Sequence, residues 1–362
     1  RELVDQSSKY AIGQFLHERF STNEVDKFFN AYSRVKDGWG LNDFGKPGMP
    51  GAAEIPYLTF TPDAWKVNVI HTAVADIATL TAVSADGFAK GYELTFTFPR
   101  HAPYVDVKWA VDSKTPDKQP EGGWLCFPFS VEKPAFTVGR LGGPIDPAKD
   151  IVPGTNRHLM AATTGVAITR ANKSGVALTS EDAPLLSLGE PGLWKYSMDY
   201  VPTTASVFIN LYNNMWNTNF ALWQEGSWSE RVRIWPLDEG THTIANLTQY
   251  GWETRLPLLT GVAEGKAGNL PAAKTGIAIS RTGVLVTAYG DNPDGDGTIL
   301  RLWENSGISG KCTVNFGKEG NVKAVIPIDL RGNIKDKKIA VNNGIFSFTL
   351  GKYAPASFLL VY

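Results

Sequence analysis

The chain has 362 residues and a formal net charge of −1. That length can bury a substantial core in one large or two medium domains, and that balance suggests neither a nucleic-acid surface nor a funnel for acidic substrates. No basic run occurs, and no apolar span approaches the roughly 20 residues needed to cross a bilayer, so neither nucleic acid nor membrane is an expected partner. The two cysteines, Cys126 and Cys312, give no disulfide framework and no metal knuckle, with a single bridge left open.

The chain begins at Arg1, without an initiator Met or a signal peptide. The expectation is either a removed leader or a piece of a longer protein. Residues 2 to 36 are predicted helical. Ile12, Phe15, Leu16 and Phe20 are spaced for one apolar face, and Ser21 followed by Glu24 has the capping-box pattern ahead of Val25, Phe28, Phe29 and Tyr32. Residues 37–56 are rich in Gly and Pro and read as a linker or a long wrapping loop. From residue 57 onward the pattern is β to the end. Stretches such as Tyr92 to Phe98, Tyr104 to Val111, Ser206 to Tyr212, Thr298 to Trp303 and Ala356 to Tyr362 alternate or run β-branched and aromatic between turn signals. Many strands without βαβ alternation predict stacked large antiparallel sheets.

The most unusual composition lies at Asn210 to Glu225. Asparagines are interleaved there with Tyr212, Trp216, Phe220 and Trp223. Aromatic faces stack on the C–H faces of a sugar, and planar amides offer a donor and an acceptor to its hydroxyls. The competing reading makes the aromatics core and the amides turn caps. If the segment is extended, either the set Asn213, Met215, Asn217, Asn219 or the set Asn214, Trp216, Thr218, Phe220 faces a ligand. Asn214, Trp216 and Asn219 are the chosen substrate-binding candidates, Asn219 needing a bend after Thr218. Arg157 and His158, after the turn at Pro153-Gly154, are candidates for a substrate clamp, with Arg157 equally suited to a structural ion pair.

Other chemistry is thin. The five histidines show no zinc-ligand spacing. Asp291 to Gly297 begins like a calcium loop but lacks the closing acidic ligand, which favours a tight Asx turn. Glu181-Asp182 is a carboxylate pair that could act as acid and base, but on a strand adjacent side chains point to opposite faces, and the competing reading is a turn after a strand.

Three motifs carry a family resemblance. Asn213-Asn-Met-Trp-Asn-Thr-Asn-Phe220, Ile299-Leu-Arg-Leu-Trp-Glu304 followed by Gly307, and Lys352-Tyr-Ala-Pro-Ala-Ser-Phe-Leu-Leu-Val-Tyr362 occur in that order. They resemble motifs of the C-terminal β region of glycoside hydrolase family 38, the α-mannosidases and their relatives. The resemblance implies a mainly β fold, a large antiparallel galactose-mutarotase-like β-supersandwich with a short N-terminal helical segment. The implied domains are 1–36, the end of a helical bundle; 37–56, a linker; and 57–362, the supersandwich region. It further implies an oligosaccharide ligand and, as a partner, the N-terminal catalytic domain of a parent protein carrying zinc or another divalent metal. This chain has no His-x-Asp and no His-His, so the metal ligands of that family have no counterpart and no cofactor is expected here. The resemblance favours an extracellular or periplasmic location. Two further readings stand beside it: a stand-alone carbohydrate-binding module, and a mutarotase-fold epimerase or lyase using His158 with Glu181 or Asp182.

Overall fold

The computed structural model describes residues 2–83, 87–141, 143–256, 258–262, 265, 268, 273, 276–317 and 320–362. Two compact units emerge, Arg1–Arg140 with Ile145–Thr243, and Leu141–Pro144 with Ile244–Tyr362. In chain order the first strands are β1 (Gln14–Arg19), β2 (Leu58–Phe60), β3 (Lys66–His71), β4 (Ala75–Val83), β5 (Gly91–Pro99), β6 (Val105–Lys114), β7 (Glu121–Pro128) and β8 (Ala135–Arg140). There follow β9 (Gly143–Ile145), β10 (Met160–Ala161), β11 (Gly165–Thr169), β12 (Gly175–Ser180), β13 (Leu185–Leu188), β14 (Ser206–Asn213) and β15 (Gly226–Leu237). The last are β16 (Ala278–Ile279), β17 (Val284–Asp291), β18 (Thr298–Glu304), β19 (Gly310–Asn315), β20 (Ala324–Ile328), β21 (Ile339–Ala340), β22 (Ile345–Leu350) and β23 (Pro355–Val361). The helices are α1 (Thr22–Tyr32), α2 (Trp39–Asn42) and α3 (Thr243–Arg255).

The first unit faces two antiparallel sheets against each other. One has the order β10-β13-β14-β7-β1-β2, and the other runs β3-β4-β5-β6-β15-β12-β11-β8. Phe15, Leu125 and Ile209 of the first sheet share one core with Trp109, Ile168 and Val232 of the second. Removing such side chains from water contributes roughly 1.5–3 kcal/mol each. The chain is thus mainly β, with the large antiparallel supersandwich that the sequence predicts. The first sheet is also covered on its other face. Leu16, Trp124, Cys126 and Phe208, the alternate residues, pack with Val25 and Phe28 of α1. Cys126 and Cys312 are free, buried thiols.

The expectation of helical structure over residues 2–36 is met only by α1, and the part before Ser21 is corrected. Residues 14–19 form β1, bonded to β7 with Gln14 opposite Cys126 and Arg19 opposite Glu121. Phe15 to Glu18 are all buried. A strand covered on both faces gives an unbroken buried run, and the apolar spacing of that run also fits a helix. The helix begins only after Ser21, whose capping box with Glu24 forms as the sequence predicts. The second departure is α3, thirteen residues with buried Ala245, Leu247, Thr248, Gly251 and Thr254. Its Thr and Gly content hides it from propensity.

The second unit is a smaller β-sandwich with sheets β16-β19-β22 and β17-β18-β23-β20-β21 around Leu300, Cys312, Val325, Phe346 and Phe358. Glu304 ends β18 with no exposed surface. Its carboxylate accepts from the backbone of Ser306 at 2.9 Å, Gly307 at 2.9 Å and Tyr353 at 2.8 Å. Gly307 has φ +75, and a Cβ there would lie 2.6 Å from the Tyr353 hydroxyl. The Glu-x-x-Gly spacing is therefore a folded loop closed on a buried carboxylate. The Asp291–Gly297 loop is the tight turn the sequence favours: the amide of Asn292 bonds the carbonyl of Gly297 at 2.8 Å, and its side chain accepts from Asp294 at 3.1 Å. No helix among the described residues is long and apolar enough to cross a membrane.

Candidate functional site

The Asn210 to Glu225 segment leaves the sheet where β14 ends. The register of β14 against β7 already shifts between Asn210 and Tyr212. Beyond Asn213 the backbone is irregular, so neither alternating set of side chains is selected. The expected choice between the two sets is corrected: Asn213, Asn214, Met215, Trp216 and Phe220 all line one cavity of about 390 Å³ in the first unit. Phe28, Leu193 and Trp194 complete its apolar wall, and Asn156 adds an amide.

The 37–56 stretch is not a free linker. Phe44 and Trp216 form an antiparallel bridge. Around it the amide of Gly45 bonds the carbonyl of Met215 at 3.1 Å, and that of Asn217 bonds the carbonyl of Asp43 at 3.0 Å. The Asn217 side chain donates to the Asn42 carbonyl at 2.6 Å, and the Thr218 hydroxyl donates to the Asp43 carboxylate. The ring of Phe44 lies 4.8 Å from that of Trp216. Lys46, buried, donates to the Trp216 carbonyl at 3.2 Å. Burial pushes its amine down to about 8, partly opposed by Glu121. Gly45 and Gly48, both at positive φ, let this strap fold back.

The five sequence candidates divide. Asn214 and Trp216 are at the cavity. Asn214 is only 3% exposed, and its amide is spent on the protein: Oδ1 accepts from the Glu121 amide at 2.7 Å and Nδ2 reaches Glu121 Oε1 at 3.3 Å. It holds the wall in place. Asn219 sits in the bend expected after Thr218, exposed and at φ +64, a left-handed conformation asparagine tolerates, but it does not line the cavity. Arg157 and His158 do not line it either. The backbone amide of Arg157 bonds the carbonyl of Ser197 at 3.0 Å, and its Nη1 reaches the carbonyl of Ala148 at 3.4 Å. His158 is buried with its ring stacked 4.3 Å from that of Tyr200. Burial lowers its pKa, opposed by Glu190, whose carboxylate lies 3.6 Å from Nδ1. Their neighbour Asn156 is the residue at the cavity. Its Oδ1 accepts from the amides of His158 and Ser197, each at 3.3 Å.

The suggested pairing of His158 with Glu181 or Asp182 is also corrected. Arg231 engages both carboxylates, Glu181 at 3.0 Å and Asp182 at 2.8 Å. A turn after β12, rather than a straight strand, lets both reach one guanidinium.

Sequence reading missed Trp194. It is 4% exposed and has φ +54, a backbone conformation that costs a bulky residue about 1–3 kcal/mol. Its ring meets Phe28 edge-on at 5.3 Å and lies 6.4 Å from Trp216. Its indole nitrogen has no hydrogen-bond partner among the described residues. The signal for it was a Pro191-Gly192 turn directly before two large apolar residues. A Cβ on Gly192 would lie 2.2 Å from the His158 carbonyl, which shows how closely the two loops meet.

Beneath the cavity wall, at the end of the sheet, lies a buried ionic group that the sequence also hid. Lys114 donates to the Glu121 carboxylate, and both are under 5% exposed. Burial pushes the Glu121 carboxyl up to about 7 against the pull of Lys114. His17 accompanies them, its Nε2 3.8 Å from Glu121 and its Nδ1 2.8 Å from the Tyr212 hydroxyl. Two glycines opposite β1 make this packing possible. A Cβ on Gly123 would lie 2.2 Å from the Tyr212 ring, and one on Gly122 would lie 2.1 Å from Leu193.

No protein-family model and no curated protein sequence matches the chain. Solved structures do. An α-mannosidase from Enterococcus faecalis V583 superposes with a TM-score of 0.63 at 9% identity, covering 98% of this chain and 40% of that one. A glycosyl hydrolase family 38 protein from Enterococcus faecalis gives a TM-score of 0.64 at 9% identity, covering 98% of this chain and 41% of that one. The chain thus has a fold related to that of family 38 glycoside hydrolases and spans well under half the length of these two proteins.

Proposed function

We propose that the chain serves as the carbohydrate-associated β region of a family-38-type glycoside hydrolase of α-mannosidase kind, lining the sugar site while a separate barrel supplies the catalytic groups. The observation that carries this is the meeting of Trp194, Trp216 and Phe220 with three asparagines around one cavity. Its support is the fold shared with an α-mannosidase and with a glycosyl hydrolase family 38 protein over 98% of this chain. Aromatic walls with a few fixed amides suit a sugar better than a charged ligand. Trp216 and Phe220 would stack on it, and Asn214 would hold their backbone. Among the described residues no three His, Cys, Asp or Glu side chains gather as a metal site. Hydrolysis of an aryl α-mannoside by the isolated chain tests the division of labour. The expected result is no turnover above the uncatalysed rate. Robust turnover would show that the catalytic groups are in this chain.

A further inference from the structure

The segment between Asn214 and Gln224 carries three of the cavity's side chains yet belongs to no strand, and its two ends converge on the same two residues, Lys114 and Glu121. At its start, the amide of Asn214 donates to the carbonyl of Glu121 at 3.1 Å and its Oδ1 accepts from the amide of Glu121 at 2.7 Å. At its end, Lys114 Nζ donates to the carbonyl of Gln224 at 2.9 Å. Lys114 and Glu121 are themselves joined by a charge-assisted hydrogen bond. Asn214 Nδ2 reaches across to Glu121 Oε1 at 3.3 Å and to the carbonyl of Leu222 at 3.5 Å. Nζ also donates to its neighbour's carbonyl, Thr115, at 2.9 Å, so its three protons all have acceptors. Its ammonium lies 5.2 Å from the centre of the Tyr212 ring on β14.

We propose that the Lys114–Glu121 pair is a positioning device for the candidate site: it closes the 214–224 segment into a fixed loop and so sets the placement of Met215, Trp216 and Phe220. A buried pair is a poor source of net stability, because desolvation of two charges offsets most of their attraction. It is a good source of order. It fixes one geometry, and each charged partner left alone would be costly, so the loop cannot drift without breaking the pair. The exposed part of the loop has little else to restrain it beyond the strap at 42–46. Lys114 and Glu121 touch no ligand in this scheme; they act through the loop.

The order of the loop can be read without any sugar, while its effect on binding rests on the carbohydrate reading above. The charge-neutral double variant Lys114→Met, Glu121→Gln keeps side-chain volume and the backbone bonds between residues 121 and 214, and removes the ion pair and the bond to the Gln224 carbonyl. Amide hydrogen exchange of residues 215–223 is expected to rise at least tenfold, with protection of β7 and β14 unchanged. Lys114→Met alone, studied at pH 6 where Glu121 can take up a proton, is expected to behave alike. Unchanged exchange at 215–223 in either variant that folds would overturn the proposal. Loss of folding in both would overturn it too, since the pair would then be holding the sandwich rather than the loop. In parallel, mannotriose affinity should fall with the loop's order. A wild-type chain that ignores mannotriose while the exchange result holds removes the carbohydrate reading and leaves the clamp standing.

Discussion

A histidine without exposed surface has to surrender its charge. His17 is 0% exposed, and its pKa falls from 6.5 to about 3, first through burial and then through Lys114 and Arg19. The folded state keeps the ring neutral, whereas the unfolded chain protonates it below pH 6.5. This group's contribution to stability is therefore complete above pH 6.5 and is lost progressively as pH falls toward 3. Glu121 and Glu230, both raised by burial to about 7, act with the opposite sign over the same window, so the His17 contribution is read as a difference between variants. In urea unfolding between pH 6.5 and 5, His17→Gln, which can still bond Tyr212, should lose less stability on acidification than the wild type. An unchanged slope would mean that His17 is not the titrating group. None of this was readable in the sequence, where His17 stood in an apparent helix, far from Lys114, Glu121 and Tyr212.

At the level of elements, legibility followed burial. Strands with one solvated or half-covered face, such as β5 and β6, show the alternation that makes them readable. β7 is buried at all eight positions and carries two glycines and a closing proline, so it shows no alternation and its β propensity is confined to its middle, which leaves it illegible in the sequence. β1, its partner, was mistaken for helix for the same reason. The start of α1 was legible because capping is local chemistry: Ser21 and Glu24 bond each other's backbone whatever the tertiary context. Ser21→Ala should cost about 1 kcal/mol. Thermal or urea unfolding checks this, and a cost near zero would mean that packing of Val25 and Phe28 alone fixes the helix start. The strap at 42–46 was hidden differently. The glycines and prolines of residues 37–56 signal irregular backbone, but only the bridge from Phe44 to Trp216 shows what that backbone holds.

At the scale of the molecule, the three family-like motifs lie in two different units. The Asn-rich motif ends β14 in the first, while the Glu-x-x-Gly strand and the closing strand pair as β18 and β23 in the second. The strand and the turn of Glu304 and Gly307 are structural, and that explains their legibility: a buried carboxylate and a left-handed glycine at fixed spacing are written in adjacent residues. The candidate site was half legible. Asn214 and Trp216 could be found because the segment's composition is anomalous. Phe28, Asn156 and Trp194 come from distant loops and one helix, and nothing local announces that they share a cavity.

The most direct measurement uses the methionines, of which there are four. Met215 lines the cavity, Met160 is buried in the core between the sheets, and Met198 is 52% exposed. Titration of methyl-labelled protein with mannotriose, followed by NMR, should shift Met215 selectively and saturably, and Trp216→Ala should abolish the shift. If Met215 does not move up to tens of millimolar sugar, or moves no more than Met160 and Met198, the carbohydrate site is not where Trp194 and Trp216 meet.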